Sequence, residues 1–387
     1  MLRTAVARNI PSATLGCRPL LLAPASRRTF MSSWLKYKPA SPSKPNTEST
    51  AGIEGPHRKD MAPAAGSPEM KPGEVVNASV PSSEVRGDWV LFHPVYSREE
   101  LHSVEVLHHQ AKTFHDRIAV IFVRLLRWGF DLVSGYKHKP IPPNSNMSLE
   151  ELRKGGYVMT EHDWLNRMLF LESIAGVPGM VAATLRHLRS LRLMVTRDAG
   201  WIHTLLEEAE NERMHLMTFM TIRKPGLLFR ALVLGAQGIF YNLFFFSYLI
   251  SPRTCHRFVG LLEEEAVVTY TRAIQEIEAG RLPKWTEYPA PSIAVDYWRM
   301  NPDAKLLDVI YAVRSDETTH RFVNHSLANI NPEKDVNPFA LREPNMLVKG
   351  KKLSFERDEA EKYVEESLHL IDEGRHKHGE ETPSVKV

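Results

Sequence analysis

The amino-acid sequence predicts an all-α protein. Apolar residues recur at the three- and four-residue spacing of one helix face in six segments. No segment shows the apolar–polar alternation of a half-buried strand, and no repeat of about 20 to 50 residues indicates a solenoid or a propeller. The predicted helices cover residues 104–132, 162–191, 200–221, 227–250, 255–279 and 303–329.

The segments on either side of these helices differ from them in composition. Before Glu48, the first acidic residue, the basic residues typical of a mitochondrial transit peptide are Arg3, Arg8, Arg18, Arg27 and Arg28. We therefore predict a transit peptide at residues 1–30 and a disordered linker, rich in Pro, Ser and Gly, at residues 31–90. The helical domain is expected at residues 91–330. A polar C-terminal tail with one charged helix, over residues 355–372, follows at residues 331–387.

Charge and cysteine content exclude several classes of protein. The 49 basic and 46 acidic side chains leave a net charge of +3, which predicts no nucleic-acid partner. The two cysteines, Cys17 and Cys255, are too few for a disulfide framework or a thiolate metal site. Any bound metal would therefore be held by carboxylates and imidazoles.

The spacing Glu-x-x-His places both side chains on one helix face, where they can bind a single metal ion. It occurs seven times, so the surrounding sequence must decide which copies matter. Five copies lie in the linker, in the polar tail, or ahead of the first long helix, where no matching helix carries a partner glutamate. The other two lie in long apolar helices, and each follows a helix with one glutamate in an apolar stretch. These residues are Glu172, then Glu212/His215, then Glu263, then Glu317/His320.

The order Glu, Glu-x-x-His, Glu, Glu-x-x-His is the ligand set with which four-helix bundles bind two metal ions. Burying Glu172 among leucines and phenylalanines is unfavourable unless its charge is paired or binds a cation. Carboxylate and imidazole together suit iron or manganese. The sequence thus predicts a ferritin-like four-helix bundle with a two-metal site. The alternative is that these acids are exposed, or paired with arginines such as Arg213 or Arg321.

Four segments surround all six predicted ligands: residues 171–180 (LESIAGVPGM), 211–216 (NERMHL), 262–266 (LEEEA) and 314–321 (RSDETTHR). They closely resemble the signature segments of the mitochondrial alternative oxidases, and the likeness extends over about residues 90–330. The resemblance implies a di-iron carboxylate bundle that oxidises ubiquinol and reduces O₂ to water, insensitive to cyanide and without pumping protons. It also implies a homodimer attached to the matrix face of the mitochondrial inner membrane.

The same resemblance assigns roles to further residues. Glu263, rather than Glu264 or Glu265, matches the ligand in the glutamate run, and Tyr270 matches the family's redox-active tyrosine. Positions that line the quinol pocket match Arg167, Leu171, Ala266 and Thr269. Positions that support the metal ligands match Asn211, Asp198 and Asp316. The chain departs from the family at Thr318 and Thr319, where Ala and His are common, so we expect a different polarity near His320.

The apolar segment at residues 231–250 contains no charged side chain and is long enough to cross a hydrocarbon layer as a helix. A single span would separate the two halves of the metal site. We therefore expect two additional membrane-surface helices, this one and the basic helix at residues 104–132, to lie in one leaflet. Phe240, Phe244, Phe245 and Tyr248 would enter the acyl chains. Burial of the segment in a helix–helix interface is the alternative.

Two other functions remain open on the sequence. A di-iron hydroxylase that modifies the quinone ring would use the same six ligands, although the long segment at residues 171–180 argues against it. A non-enzymatic iron-binding helical protein at a membrane surface would need neither Tyr270 nor Arg167. A ferritin-like storage shell is disfavoured by the apolar surface at residues 231–250.

Overall fold

The computed structural model describes residues 95–134, 139–142, 146–194 and 198–378. Apart from an isolated bridge between Pro289 and Lys305, the regular structure of these residues is helical, which confirms the all-α prediction. The predicted transit peptide and linker lie outside the described residues. The helices are α1 (Arg98–His102), α2 (Phe114–Ser134), α3 (Leu149–Lys154), α4 (Glu161–Ala175), α5 (Val177–Arg192), α6 (Trp201–Ile222), α7 (Leu227–Ile250), α8 (Pro252–Glu278), α9 (Pro283–Thr286), α10 (Ser292–Tyr297), α11 (Leu306–Asn329), α12 (Met346–Lys349) and α13 (Arg357–His378).

Helices α4, α6, α8 and α11 form the four-helix bundle that the sequence predicts. Helices α8 and α11 share the most extensive contact, and α6 packs on both α4 and α5. Local sequence signals fix where the helices begin. Thr160 and Asp163 form a capping box at the start of α4, and Pro252 occupies the first turn of α8, where no amide donor is needed.

Two clusters of buried apolar side chains fill the bundle, one toward each end. One cluster includes Trp164, Phe219 and Ile310. The other includes Trp201 and Phe322. Along each of the four bundle helices, the predicted metal ligands lie in the layer between or directly beside these clusters. The apolar packing therefore holds a polar layer away from bulk water.

The helix predicted over residues 162–191 is interrupted, because α4 ends at Ala175 and α5 begins at Val177. Pro178, near the start of α5, has no amide hydrogen to continue the helical ladder. Two glycines at this junction let the backbone approach α6. A Cβ atom at Gly179 would lie 2.6 Å from the carbonyl oxygen of Leu205, and one at Gly176 would lie 3.2 Å from that of Ala209. The junction thus requires glycine at position 179 and leaves little room for a larger residue at position 176.

The prediction of a helix beginning at Val104 is wrong, because α2 begins only at Phe114. The side chain of Asp116 accepts hydrogen bonds from the backbone amides of Lys112 and Thr113 and so starts the helix there. The preceding residues have no helical hydrogen bonds. Their segment is held to the bundle by α11, since Arg321 donates to the carbonyl oxygen of Glu105 at 3.0 Å.

Helices α2 and α7 present apolar side chains on the outside of the bundle. By length and composition, two helical stretches could cross a membrane, Glu161–Arg192 and Leu227–Ile250. The first stretch consists of α4 and α5, and half of its apolar segment is buried inside the protein. Only 11% of the corresponding window in α7 is buried. The strongly exposed side chains include Ile121, Phe122, Leu125 and Trp128 on α2, and Leu234, Ile239, Leu243, Phe246 and Leu249 on α7.

The prediction of which face of α7 turns outward is wrong. Phe244 and Tyr248 are buried against the bundle, and Phe240 and Phe245 pack partly against the same cluster. The Tyr248 hydroxyl lies 3.1 Å from His256 Nε2 on α8, and this buried hydrogen bond keeps the side chain turned inward. A sequence with apolar residues on nearly every face gives no signal for which face turns outward.

The segment after Asn331 packs more closely than a polar tail would. Phe339 and Phe355 are buried and contact the ring of Phe322 on α11. The backbone amide of Phe355 also donates to the Ser326 hydroxyl at 2.8 Å. The charged helix of this segment is α13, which begins two residues later than predicted.

Candidate metal centre

The structure brings all six predicted ligands together inside the bundle. Four of them, Glu172, Glu212, His215 and Glu317, offer ligand atoms that lie within 4.8 Å of one another. A second group with the same property consists of Glu212, Glu263, Glu317 and His320. Glu212 and Glu317 belong to both groups. Both residues would therefore help to hold metal in either group.

The two imidazoles point their Nδ1 atoms at the carboxylates. The Nδ1 atom of His215 lies 3.3 Å from Glu172 Oε2, 3.5 Å from Glu212 Oε2 and 3.4 Å from Glu317 Oε1. The Nδ1 atom of His320 lies 2.7 Å from Glu212 Oε1 and 3.8 Å from Glu317 Oε2. One imidazole thus belongs to each of the two groups.

Five of these ligand atoms are buried and have no hydrogen-bond partner: Glu172 Oε2, Glu212 Oε1, Glu212 Oε2, His215 Nδ1 and His320 Nδ1. Buried polar atoms are normally hydrogen-bonded, because an unpaired one is unfavourable. Here the unpaired atoms point toward one another, and some lie close together, such as His320 Nδ1 and Glu212 Oε1 at 2.7 Å. This pattern fits a site whose donors satisfy cations, and carboxylates with imidazoles are donors suited to iron or manganese.

Electrostatics within the group also indicate a cation site. Burial raises the pKa of Glu172 to about 8, and the charges of Glu212 and Glu317 act in the same direction. Burial likewise raises the pKa of Glu263 well above its ordinary value. Four carboxylates in one dry layer therefore cannot all ionise without positive charge. Against the effect of burial, the neighbouring carboxylates raise the pKa of His215 and of His320, so the protonated imidazoles can supply part of that charge, and metal cations would supply it when bound.

Asp316 fixes the orientation of His215. Its Oδ2 atom lies 2.9 Å from His215 Nε2 and accepts hydrogen bonds from Asn211 Nδ2 and Trp298 Nε1, both at 3.0 Å. With the ring proton on Nε2, the lone pair of Nδ1 faces the carboxylates. Such outer partners set the tautomer and angle of a metal-binding imidazole. Asn211 and Asp316 thus lie where the sequence predicted support for the ligands, and Trp298 was not predicted.

Asp198 does not lie beside the ligands, so the prediction that it supports them is wrong. Its carboxylate pairs with Arg186 at 3.0 Å and accepts the backbone amide of Ile202 at 2.7 Å, at the start of α6. Glu212 lies about three helical turns farther along that helix. Asp198 stabilises the beginning of α6, because a carboxylate satisfies free amides at a helix N-terminus.

Tyr270 is buried and donates a short hydrogen bond to Glu172 Oε1. It lies two turns after Glu263 on α8, so both residues face the same side of the helix. Burial raises the pKa of the Tyr270 phenol well above its ordinary value, and the charge of Glu172 adds to this effect. The phenol is therefore protonated and in direct contact with a predicted ligand.

The residues predicted to line a quinol pocket lie where α2, α4 and α8 meet. Arg167 lies 3.4 Å from Asp131 on α2, and its guanidinium stacks 4.7 Å from the ring centre of Phe130. Thr269 donates to the carbonyl oxygen of Glu265 at 2.8 Å. Leu171 and Ala266 are half-buried on the neighbouring turns.

An ion-pair chain across this junction was not foreseen from the sequence. Glu265 on α8 pairs with Arg127 on α2, and Arg127 lies 3.6 Å from Asp131, which contacts Arg167 on α4. The four-residue spacing of Arg127 and Asp131 on one helix face was the available signal. This series of ion pairs ties three helices together beside the residues predicted to line the pocket.

The three consecutive glutamates of α8 serve three different neighbours. Glu263 faces the other ligands. Glu264 accepts hydrogen bonds from the backbone amide of His109 at 3.0 Å and from the His325 ring at 2.8 Å. Glu265 pairs with Arg127. Successive helical residues are about 100° apart, so each carboxylate leaves the helix in its own direction.

A further buried carboxylate, Glu208, lies one turn before Glu212 on α6. Asn324 Nδ2 donates to Glu208 at 2.7 Å and to the carbonyl oxygen of His320 at 3.1 Å. The Oδ1 atom of Asn324 lies 3.0 Å from His256 Nδ1, which is placed to donate to it. Burial raises the pKa of Glu208 to about 7. These residues link α6, α8 and α11 beside the His320 position.

The chain was compared with known proteins. A family model described as alternative oxidase matches residues 96–329. A mitochondrial alternative oxidase of Cryptococcus neoformans var. grubii is 51% identical over 317 residues, which are 81% of this chain and 76% of that protein. One of Emericella nidulans is 58% identical over 259 residues, or 67% and 70% of the two chains. One of Aspergillus niger is 55% identical over 260 residues, or 67% and 71%.

Proposed function

The chain belongs to the alternative oxidase family, and from this premise we propose that it oxidises ubiquinol and reduces O₂ to water at a centre of two iron ions. The observation that carries the proposal is the pair of buried four-residue groups that share Glu212 and Glu317. Two ubiquinols give up four electrons and four protons, which balance the reduction of one O₂ to two waters. The reaction is insensitive to cyanide and moves no protons across the membrane.

The distances between the side chains divide the six residues between two proposed metal positions. Glu172 and His215 would hold one iron ion, and Glu263 and His320 the other, with Glu212 and Glu317 between them. When bound, the iron ions supply the redox chemistry that O₂ reduction requires. The bundle excludes water from this layer, and Asp316 keeps His215 Nδ1 directed into it.

Tyr270 is the proposed catalytic side chain. Its phenol donates to Glu172, so it can pass a proton, and with it an electron, toward the metal layer without a large movement. Its position on α8 is also one residue from Thr269, which lies at the proposed quinol pocket. The tyrosine thus stands between the proposed electron donor and the acceptor site.

Quinol binding is proposed at the junction of α2, α4 and α8. Arg167 can donate hydrogen bonds to a quinol oxygen, and its guanidinium is already held beside Asp131. Leu171, Ala266 and Thr269 would line the ring. Arg127 and Glu265 form an ion pair at the same junction. Breaking this ion pair would widen the path by which quinol enters.

Membrane attachment is proposed through the outward faces of α2 and α7. Exposed apolar side chains in such number mark an interaction site, and those such as Phe122 and Phe246 suit the acyl region. The transit-peptide composition and the mitochondrial relatives support a mitochondrial location, and within it we propose the matrix face of the inner membrane.

A homodimer is proposed through α5 and α6. These adjacent helices expose apolar side chains, including Met180, Leu188, Leu191 and Leu206. Covering them with the same surface of a second copy would bury this area, as twofold interfaces do. The test is the mass of the detergent-solubilised protein.

Oxygen uptake by purified, iron-loaded protein with ubiquinol tests the proposal. Cyanide-insensitive uptake that is lost in Glu263→Ala and in Tyr270→Phe is the expected result. Ring-hydroxylated quinone as the product would instead indicate a hydroxylase. Iron-loaded protein with no quinol-dependent uptake would sink the oxidase assignment.

A further inference from the structure

A side chain from outside the four-helix bundle contacts Asp316, the carboxylate that orients His215. Tyr96 lies two residues before α1, in the segment that enters the helical domain. Its hydroxyl donates a hydrogen bond of 2.6 Å to Asp316 Oδ1 on α11, 220 positions away in sequence. A phenol bonded to a carboxylate at this distance is a strong, charge-assisted contact.

The contact falls on the opposite oxygen of Asp316 from the one that faces His215. The Oδ2 atom receives the His215 ring, the Asn211 amide and the Trp298 indole. Tyr96 acts on Oδ1. A carboxylate held at both oxygens cannot rotate about its side-chain bond, so the acceptor for His215 Nε2 has a fixed direction.

We propose that Tyr96 is a positioning residue of the metal centre, which fixes Asp316 and through it the direction in which His215 presents Nδ1. The inference rests on the proposed di-iron function and deepens it. The entry segment of the domain is thereby part of the site, although it contributes no ligand.

The backbone around Tyr96 is anchored well enough to serve this purpose. Ser97 and Glu100 form a capping box that fixes the turn directly after it. The end of α1 is tied to α11, since Arg314 donates to the carbonyl oxygen of Leu101 at 2.6 Å. A support of this kind works only when its own position is set by packing and hydrogen bonds.

Thr319 on α11 lies near Tyr96 and acts on the pKa of its phenol, while its hydroxyl donates to the carbonyl oxygen of Ser315 at 3.3 Å. Thr319 is one of the two positions at which the 314–321 segment departs from the usual pattern. A short side chain there leaves space for the phenol between α11 and the entry segment. Burial and the charge of Asp316 raise the pKa of the phenol well above its ordinary value, so it remains a donor.

The test compares Tyr96→Phe with Tyr311→Phe in the full chain. Tyr311 is the matched control, because its hydroxyl also donates to a carboxylate, Glu278 at 2.5 Å, but away from the metal layer. Both proteins are loaded with iron, and three properties are measured: the rate of iron release to a chelator, the Mössbauer spectrum, and kcat and KM for ubiquinol.

Tyr96→Phe is expected to release iron about tenfold faster, the lower end of the effect of losing such a support. Its Mössbauer spectrum should change at one of two iron positions, and kcat should fall with KM unchanged. Tyr311→Phe should match the unmodified protein. Iron release and spectra of Tyr96→Phe equal to those of the unmodified protein would overturn the inference alone. Unmodified protein that binds no iron would overturn the proposed function, and the inference with it.

A double-mutant cycle keeps the test decisive if Tyr96→Phe also lowers thermal stability. Tyr96→Phe, Asp316→Asn and the double variant are compared by iron release. If Tyr96 acts through Asp316, Tyr96→Phe adds little once Asp316→Asn is present. Independent, additive effects would contradict a positioning role.

Discussion

The phenol of Tyr270 on α8 donates a hydrogen bond to the carboxylate of Glu172 on α4, so a tyrosine from one bundle helix contacts a predicted metal ligand from another. The contact runs across the bundle interior, where both side chains are buried. It places a proton donor beside one of the two candidate ligand groups, the one that contains His215, and gives the two groups different surroundings.

Replacing Tyr270 by phenylalanine removes only the hydroxyl and keeps the ring stacked near Phe219. We expect ubiquinol oxidation to fall by at least about 100-fold, because a positioned proton donor contributes at least this much. Iron content and the unfolding temperature should change little. Rates from oxygen uptake that stay within threefold of the unmodified protein would remove Tyr270 from the mechanism.

Glu212 and Glu263 are expected to differ in their effect on iron content. Glu212→Ala removes a carboxylate from both groups and should leave almost no iron bound, whereas Glu263→Ala should spare the position of Glu172 and His215. Iron per chain is measured after gel filtration. Glu210→Ala is the control on the same helix, since that exposed residue pairs only with Arg213. Equal iron loss in all three variants would contradict the bridging arrangement.

Gly179→Ala should destabilise the protein, because its Cβ atom would lie 2.6 Å from the carbonyl oxygen of Leu205. The expected cost is about 1–3 kcal/mol, typical of overpacking, and it appears as a lower unfolding temperature. Iron content should fall too, as α5 and the adjoining α4 move from α6. Gly235→Ala is the control, since nothing lies within 4 Å of its Cβ position. An unchanged unfolding temperature for Gly179→Ala would show that the junction yields without cost.

Stability should fall in mild acid because of His256. Burial lowers the pKa of this imidazole to about 4, and the charge of Arg186 acts in the same direction against the hydrogen bond to Asn324. In the unfolded chain this imidazole takes up its proton near pH 6.5. The neutral imidazole therefore contributes fully to the free energy of unfolding above that pH, and this contribution is lost as the pH falls toward 4. The loss is about 3 kcal/mol, and His325 adds to it in the same direction.

Urea midpoints between pH 7 and pH 4.5 measure this loss. His256→Gln should give a flatter profile than the unmodified protein, although its midpoint at pH 7 is lower. His369→Gln, at a side chain that is 74% exposed on α13, should follow the unmodified profile. A slope in His256→Gln equal to that of the unmodified protein would assign the acid sensitivity to other groups.

Phe246→Glu tests the membrane face of α7. This side chain is 61% exposed on the outward face, so a charge there should weaken liposome binding about tenfold or more while leaving iron content intact. Leu370→Glu, at an exposed leucine of α13, should bind liposomes normally. Equal binding by both variants would place the membrane contact elsewhere.

The sequence predicted much of the bundle because each level of the pattern pointed to the same arrangement. Glu172 and Glu263 each stand in an apolar stretch, and the two pairs Glu212/His215 and Glu317/His320 follow them in order. Buried charge in such a context has few physical explanations. Helix spacing then places the six residues in one layer, as the structure does.

What the sequence could not predict depends on contacts between distant segments. Tyr96 stands alone in a stretch without periodicity, and only the folded chain places it against Asp316. The start of α2 was misplaced because the amide-binding carboxylate of Asp116 outweighs the apolar pattern before it. Asp198 was assigned by likeness of sequence position, whereas its partner Arg186 comes from a different helix.

The run Glu263–Glu265 makes the length of α8 a fixed dimension of the protein. Adding or deleting one residue before the run would turn everything after it by about 100°. Three attachments would be exchanged at once, although no side chain had been lost. This helix should accept changes of chemistry at many positions and changes of register at almost none, so libraries for engineering it are best restricted to substitutions.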